Sequence, residues 1–259
     1  MPKVRVVTPT DPKTDSIKAF HHRLTHGPCS QVTFDYRVYS AADNSDNLDD
    51  MAGYAVGDAP NVLVACGWMA AQALLNTGTS LPVVMAAGGY IPNSPPANLT
   101  GFKLNGTDVA NHQLAHIQAS DVTVLYDDTN DASIEIVNNL TAVSGKTVHL
   151  LPIHDRSKFA QQNVTTDGFL VIPNAMYYDH CAEIVAMVDN NASVRAIYYP
   201  EREYKAISGN QGKVKVYGHH IQNTFRKAAD LVCTIVSPGF KISALPPVAD
   251  ADVDNDAGA

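Results

Sequence analysis

The chain has 259 residues, a hydrophobic fraction of 45% and a formal net charge of -8 at pH 7. A globular chain of this length favours two lobes of ordinary size over a single domain. The negative charge and the lack of any Lys and Arg cluster exclude nucleic acid as the expected partner, because phosphate binding needs such clusters. No apolar stretch reaches the roughly 18 residues of a membrane span, so no direct membrane insertion is expected.

Short apolar runs alternate with helical patterns in the first part of the chain. Strands are predicted at residues 3–8, 32–39, 62–65 and 83–86, and helices at residues 14–24, 43–56 and 68–75. The strand at residues 62–65, the helix at residues 68–75 and the strand at residues 83–86 together have the pattern of a βαβ unit whose strands are covered on both faces. Ligands of such sheets lie just beyond the carboxyl ends of the strands. Residues 66–68 and 87–90 are therefore predicted to form two lips of one crevice.

The same alternation starts again after an extended crossing at residues 98–102. Strands are predicted at residues 121–126, 148–153, 168–172, 195–199 and 213–217, and helices at residues 107–118, 132–143, 177–188 and 221–236. The predicted fold class is α/β, with two doubly wound parallel-sheet lobes joined by a multi-strand hinge. Such a clamp would close around a ligand at the lobe boundary.

The crossings set the predicted lobe boundaries. The N-terminal lobe is predicted to contain residues 1–98 and 220–242, and the C-terminal lobe residues 99–219 and 243–250. Residues 251–259 form an acidic tail that is expected to be frayed.

The cysteines lie far apart, without CxxC or other metal-ligand spacing. They are Cys29, Cys66, Cys181 and Cys233. Reduced, mostly buried thiols are expected, because a domain of this size needs no disulfide.

Five Asn-x-Ser/Thr sequons are interpreted as chance matches, because no secretory signal precedes them. They begin at Asn98, Asn105, Asn139, Asn163 and Asn191. Two localisations stay open: periplasmic or otherwise extracytoplasmic if a leader has been removed, and cytoplasmic if Met1 is the native start.

Polar, small or aromatic residues follow several strands, where a parallel sheet would bind a ligand. The ligand-binding candidates are Thr8, Thr10, Cys66, Gly67, Trp68, Met69, Gly88, Tyr90, Asp127, Asn130, Asn174 and Tyr217. Thr8 and Thr10 have a second interpretation as a helix cap, and Asn174 as an ordinary turn residue.

Asp127, Asn130 and Trp68 each have two competing interpretations. Asp127, Asp128 and Asn130 would supply acceptors and an amide to a ligand, or they would form the capping turn of the next helix. Trp68, the only tryptophan, would be a platform for a planar ligand, or it would pack under a loop.

No specific pattern predicts catalysis, a cofactor or a metal site. His112 and His116 have metal-compatible spacing on one helix, but an exposed helix face explains them better. His219 and His220 are expected on the surface or in the hinge. No GxSxG, Walker or GxGxxG motif is present.

Several segments together resemble a known family. They read TPTDPKTDSIKAF, VLVACGWMAAQALLNTGTSLPVVMA, ANLTGFKL, VTVLYDDTNDAS, VYGHHIQNTFRKAADLV and SALPPV. Their order is similar to that of the ABC-transporter substrate-binding proteins that include tryptophan and tyrosine binders, with the type I periplasmic-binding-protein fold. The family commonly has Thr or Ser with small neighbours after the glycine that ends the third strand, whereas Trp68 and Met69 follow Gly67 here.

The resemblance implies a non-enzymatic hinged binding protein for an amino acid or a similar small solute, as part of an ABC-type uptake system. A small-molecule ligand and, for transport, an ABC permease are the partners it implies. Two alternatives stay open at this point: a cytoplasmic sensor or regulatory effector domain, and a small-molecule enzyme that uses Asp127 or Asp128 as acid or base.

Overall fold

The computed structural model describes residues 1–41, 47–88, 95–140, 145–174, 176–177, 180–189, 196–201, 214–251 and 253–255; of residues 189, 196–201, 214–218 and 253–255 it describes the backbone alone. The chain folds into two compact units. Unit 1 contains Met1–Leu104 and Ile221–Ala251, and unit 2 contains Asn105–His220 and Asp252–Ala259.

The elements follow the alternating strand and helix order that the sequence predicts. The first part of unit 1 contains β1 (Lys3–Thr8), α1 (Asp15–His26), β2 (Asp35–Ser40), α2 (Leu48–Gly57), β3 (Val62–Cys66), α3 (Trp68–Asn76), β4 (Val83–Gly88) and β5 (Leu99–Lys103). Unit 2 continues with α4 (Gly106–His116), β6 (Asp121–Tyr126), α5 (Asp131–Asn138), β7 (Thr147–Pro152), a 3-10 turn (Arg156–Gln161), β8 (Gly168–Val171), α6 (Cys181–Asp189), β9 (Ala196–Glu201) and β10 (Val214–His219). The chain ends with α7 (Ile221–Ile235), a 3-10 turn (Ile242–Ala244), β11 (Ala249–Asp250) and β12 (Val253–Asn255).

Unit 1 is a six-stranded sheet with the order β11-β5-β4-β3-β1-β2, and its paired strands run parallel. One face packs against α1 and α7 through residues such as Phe20, Leu24 and Phe225, and the other packs against α2 and α3 through Leu63 and Leu74. All five residues of β3 are buried, as expected for a strand with helices on both faces.

Unit 2 repeats this plan with the strand order β12-β10-β9-β8-β6-β7. Its pairs are parallel except that β12 runs antiparallel to β10. Phe169 and Ile184 belong to the core on the α6 face, whereas Val124, Leu114 and Ile136 belong to the core under α4 and α5. Each unit is therefore a doubly wound α/β sheet, which confirms the predicted fold class.

The boundaries between the units differ from those predicted. Residues 99–104 and 243–251 belong to unit 1, because β5 pairs with β4 and β11 pairs with β5. Within the predicted acidic tail, Val253–Asn255 are not frayed but form β12, whose backbone pairs with residues 217–219 of β10. The acidic composition did not predict this strand, because strands pair through backbone hydrogen bonds, which do not depend on the charge of the side chains.

Two of the cysteines are bonded to each other, which corrects the expectation of reduced thiols. Cys29, in the loop after α1, forms a disulfide with Cys233 of α7, with their Cα atoms 5.7 Å apart and a sequence separation of 204. Cys66 and Cys181 are free and buried, as predicted. The disulfide fastens α7, the helix that returns from unit 2, to the helix layer of unit 1.

A buried arginine holds together the amino end of the unit 1 sheet. Arg5 of β1 is 1% exposed and its guanidinium bonds to Asp35 at 2.8 Å and to Asp58 at 2.7 Å. Burial by itself would lower the pKa of Arg5, but the hydrogen bonds to both carboxylates raise it, so the charged form is kept. Tyr39 also donates to Asp58, at 2.6 Å.

Within the described part of the chain, no helix combines the length and the apolar character that crossing a membrane requires.

Candidate functional site

The carboxyl end of β1 is fixed by hydroxyl groups. Thr8 is buried, its Oγ1 lies 3.1 Å from Oγ1 of Thr10, and it accepts the Thr10 N–H at 3.2 Å. Ser40, at the end of β2, donates its hydroxyl to the Thr10 carbonyl oxygen at 2.6 Å. The helix cap is Thr14, whose side chain accepts from the N–H of Ile17. Thr8 and Thr10 therefore shape the turn at the strand end instead of capping α1.

Cys66 closes β3 beside this turn. Burial raises the pKa of its thiol to about 12, and a hydrogen bond with Thr8 only partly opposes that shift. The thiol is therefore protonated at neutral pH. Because the thiolate is the nucleophilic form, Cys66 offers the site a neutral, weakly polar group.

The chain turns sharply between β3 and α3. Gly67 has a φ of 87°, in the left-handed region that glycine adopts without steric cost, and its N–H donates to the carbonyl oxygen of Ala86 at 3.1 Å. No side chain caps α3 at Gly67. Trp68 is half-buried and packs against the core under α2 and α3, and Met69 is 37% exposed. Trp68 thus contacts the core with part of its side chain and leaves the rest exposed, and its role as a ligand platform stays a prediction.

The end of β4 carries a strained alanine. Ala87 has a φ of 61°, and the pairing of β4 with β5 shifts register between Met85 and Gly88. The carbonyl oxygen of Gly88 accepts the N–H of Leu104 at 2.6 Å. A non-glycine residue in this conformation costs of order 1 kcal/mol and often marks a ligand-binding rim. Tyr90 lies outside the described residues.

In unit 2, Asp127 and Asn174 meet beyond the carboxyl ends of β6 and β8. Asn174 donates its Nδ2 to Asp127 Oδ2 at 2.9 Å, and its own Oδ1 accepts the N–H of Met176 at 2.8 Å. Asp127 Oδ1 accepts from the N–H of Thr129 at 2.9 Å and from its hydroxyl at 2.7 Å. Asp127 is 9% exposed. Its carboxylate therefore organises the loop and holds the Asn174 amide in place.

The neighbouring acidic residue is far more accessible. Asp128 Oδ1 lies 2.7 Å from Nδ1 of His154, and their side chains are 41% and 43% exposed. Asn130 Oδ1 accepts the N–H groups of Ala132 and Ser133, so Asn130 is the N-cap of α5, the second interpretation drawn from the sequence. Tyr217 lies in β10, opposite Asn255 of β12; only its backbone is described.

The structure thus brings the predicted residues together in two groups, one per unit. In unit 1 these are Thr8, Thr10, Cys66, Gly67 and Gly88, with Trp68 and Met69 on the first turn of α3. In unit 2 Asp127 and Asn174 are in contact, and Asp128 lies beside them in sequence.

Sequence reasoning missed three residues of these strand ends. His154 and Ser40 could have been found, because each is a polar residue at or just past the carboxyl end of a predicted strand. Ala87 carries no sequence signal, since its conformation depends on the register shift next to it.

Among the described residues, the histidines are not gathered into a cluster of metal ligands. The rings of His112 and His116 stack with centroids 4.1 Å apart, and burial together with the neighbouring His116 lowers the pKa of His112. His219, expected on the surface or in the hinge, is 1% exposed. Among the residues that the structure describes, no group of three or more His, Cys, Asp or Glu is arranged to hold a metal ion.

Comparisons with known proteins identify the fold. No family model and no curated protein sequence matches the chain. Among solved structures, an ABC domain in complex with L-Trp from Streptococcus pneumoniae superposes with a TM-score of 0.77 at 16% identity, over 96% of this chain and 90% of that one. A conserved domain protein from Vibrio cholerae superposes with a TM-score of 0.78 at 16% identity, over 97% of this chain and 89% of that one.

A periplasmic component of an ABC-type sugar transport system from Hahella chejuensis gives a TM-score of 0.70 at 10% identity, over 97% of this chain and 98% of that chain. The similarity spans nearly the whole of both chains in each case, while the identities are low. The chain has the type I periplasmic-binding-protein fold that the sequence resemblance predicts.

Proposed function

We propose that this protein is a non-enzymatic, hinged binding protein for a small organic solute and that it serves an ABC-type uptake system. The observation that carries the proposal is the placement of polar groups at the carboxyl ends of the parallel strands in each unit. These are the positions at which doubly wound sheets bind ligands. The structural neighbours support it: the Streptococcus pneumoniae protein is in complex with L-Trp, and the Hahella chejuensis protein is a component of a sugar transport system.

The proposed mechanism is a population shift. A ligand that contacts the groups at the carboxyl ends of the strands in both units stabilises the closed form, and an ABC permease binds that form. The hydrogen bonds that hold Asp127 favour a structural role in the loop over an acid or base role, because both carboxylate oxygens already accept bonds from Thr129 and Asn174. Asp128 is the acidic residue that is accessible to a cationic or hydroxyl group of the ligand.

The compartment proposed is extracytoplasmic. Disulfides persist in oxidising compartments and are rare in the cytosol. The bond between Cys29 and Cys233 therefore supports an exported protein over a cytoplasmic sensor.

The first experiment identifies a ligand and tests closure together. Small molecules released on denaturing the purified protein are analysed by mass spectrometry, and L-tryptophan and a pentose sugar are then titrated directly. A saturating ligand should raise the melting temperature and reduce the radius of gyration in X-ray scattering, because only the native closed state binds it. Stabilisation without compaction would contradict hinge closure.

Trp68 gives an independent readout because it is the only tryptophan. A ligand stacked on the exposed part of Trp68 should change the intrinsic fluorescence. Trp68→Ala should weaken the binding of that ligand or allow a bulkier ligand to bind. Unaltered emission at saturation, together with an unaltered ligand range of Trp68→Ala, would assign the ring to packing alone.

The two neighbouring aspartates form a matched pair for a second experiment. Asp128→Asn should weaken the binding of a ligand that carries a cationic group by about 1–3 kcal/mol. Stability should change little, because the pair of Asp128 with His154 is exposed. Asp127→Asn should chiefly lower stability, because one acceptor oxygen toward Thr129 or Asn174 becomes an amide donor. The reverse pattern would make Asp127 the ligand-binding carboxylate.

A further inference from the structure

The described sequons differ in what the structure does with their asparagine carboxamides. Asn98 donates its Nδ2 to the carbonyl oxygens of Thr79 and Leu81 at 3.0 and 2.9 Å. Thr100, the hydroxyl residue of this sequon, is fully buried and donates to the carbonyl oxygen of Pro246 at 2.7 Å. A sugar on Asn98 would replace one of these two N–H donors and break its hydrogen bond, so this sequon is closed to modification in the folded protein.

Two further sequons have carboxamides that are already in use. Asn105 is the N-cap of α4, where its Oδ1 accepts the Asp108 N–H at 3.3 Å and its Nδ2 donates to the Asp108 carboxylate at 2.5 Å. Asn139 donates its Nδ2 to the carbonyl oxygen of Glu135 at 2.7 Å. A sugar on either nitrogen would replace one of its two hydrogens and compete with this hydrogen bond at the end of a helix.

Asn163 is different. It lies in the irregular segment between the 3-10 turn Arg156–Gln161 and β8, and it is exposed. Exposure alternates along this segment: Val164 and Thr166 are buried at 4% and 7%, whereas Asn163 and Thr165 are exposed. Within the described part of the chain, no residue forms a hydrogen bond with the Asn163 carboxamide. The asparagine and the threonine of this sequon are therefore both accessible from solvent.

The surroundings of Asn163 leave room for a bulky group. The residue lines two open clefts of about 400 and 540 Å³, one bordered by Asp121 and His149 and the other by Arg156 and Glu183. The segment precedes β8, so it lies at the amino end of that strand, whereas Asp127 and Asn174 lie beyond the carboxyl ends of β6 and β8. A group attached here leaves the candidate ligand residues of unit 2 uncovered.

We propose that Asn163, among the sequons that the structure describes, is the N-glycosylation acceptor, with Thr165 as the hydroxyl residue of its sequon. The co-substrate is an oligosaccharide linked through phosphate to a polyprenyl lipid. The Asn163 Nδ2 forms a bond to the anomeric carbon and loses one proton, while the bond from that carbon to the phosphate oxygen breaks and the lipid phosphate leaves with the electron pair. The Cys29–Cys233 disulfide agrees with the exported location that this reaction requires.

This inference is independent of the ligand and of hinge closure. The test exports the full chain through a secretory pathway that carries out N-glycosylation, beside a glycoprotein that reports on the host's activity. Intact-mass and peptide mass spectrometry should show the mass increment of a glycan on the peptide that contains Asn163. Asn163→Gln and Thr165→Ala should abolish the mass increment, whereas Thr165→Ser should keep it.

Asn139→Gln is the matched control, because its asparagine is also exposed but its amide is bonded; it should leave the glycan unchanged. A chain without glycan in cells that modify the reporter would overturn the proposal. A glycan on any other sequon, with Asn163 unoccupied, would overturn it equally. Melting curves of all variants distinguish loss of the site from loss of the fold.

Discussion

The two units share one architecture, but each is stabilised internally by different contacts. The described part of unit 1 contains a disulfide between α7 and the loop after α1, and a buried arginine between two carboxylates at the amino end of its sheet. Unit 2 relies on apolar packing and on a buried pair of hydroxyls, in which Thr123 and Thr166 lie 2.8 Å apart. Its edge strand β7 is exposed, with Leu150 at 49%.

This difference shows that a doubly wound sheet does not specify its own stabilising contacts. Unit 1 is built from two separate parts of the chain, because α7 returns to it after unit 2. A bond that fastens the returning helix therefore constrains the unfolded chain across 204 residues, which no local contact can do. Unit 2 is almost continuous in sequence and has no such long closure to make. We expect unit 1 to depend on a few specific contacts and unit 2 on distributed packing.

The largest effect is expected from the disulfide. Replacing Cys29 and Cys233 together by Ala should lower the free energy of unfolding of unit 1 by about 4 kcal/mol, because the long loop gains entropy in the unfolded state. Urea denaturation followed by Trp68 fluorescence reports on unit 1, since the only tryptophan lies in α3. Cys181→Ala, which shortens a buried free thiol in unit 2, is the control; circular dichroism should show that it costs about 1 kcal/mol. Equal losses would contradict the comparison.

Removal of the buried arginine should follow in size. Arg5→Met keeps the length of the side chain but leaves Asp35 and Asp58 close together without their cation, and we expect a loss of about 3 kcal/mol. Arg23→Met removes a pair with Asp230 whose side chains are 41% and 37% exposed, so it should cost less than about 1 kcal/mol. The same fluorescence-detected denaturation measures both variants, and similar costs would mean that burial of Arg5 adds nothing.

Among the described residues, Ala59 and Ala87 are the alanines with positive φ, and replacing each by glycine distinguishes backbone strain from function. Ala87→Gly and Ala59→Gly should each stabilise unit 1 by up to about 1 kcal/mol, because glycine tolerates φ values of 61° and 49°. Ala59 precedes β3 at its amino end and serves as the control. Only Ala87→Gly should change ligand affinity in calorimetry, since it alone lies at the carboxyl end of a strand. An affinity change in Ala59→Gly would show that the effect is global.

The smallest expected effect is a dependence on pH. The hydrogen bond from Arg5 lowers the pKa of Asp35, and bonds from Tyr39 and then Arg5 lower that of Asp58. A carboxyl whose pKa is lowered by folding adds stability above its unfolded pKa of about 3.9, and this is lost as the pH falls through the folded pKa. The urea concentration at the unfolding midpoint of unit 1 should therefore decrease as the pH is lowered below about 4.

Arg5→Met should flatten this acid response, because it removes a cation that both carboxylates share. In unit 2 the backbone N–H of Ser157 lowers the pKa of Asp155, so some acid response is expected there too. Circular dichroism of both units, compared with Trp68 fluorescence of unit 1, distinguishes the two. An unchanged pH profile in Arg5→Met would assign the acid sensitivity to other groups.

The sequence alone predicted the strand and helix order, and several strand bounds closely. Residues 3–8 and 121–126 were predicted as strands and are β1 and β6. These predictions succeeded because apolar runs, helical periodicity and capping residues such as Thr14 and Asn130 act within one element. The candidate positions at strand ends were also readable, because parallel strands direct their carboxyl ends to one edge of the sheet.

What the tertiary structure decided involves partners that are distant in sequence. The disulfide of Cys29 with Cys233, the bond of Asn174 to Asp127 and the two carboxylates around Arg5 join residues whose meeting depends on the order of strands and the return of α7. The same holds for β5 and β12, whose units are set by backbone pairing with other strands. Local periodicity determines which face of an element is apolar, whereas only the packed sheet determines which polar groups meet at its edges.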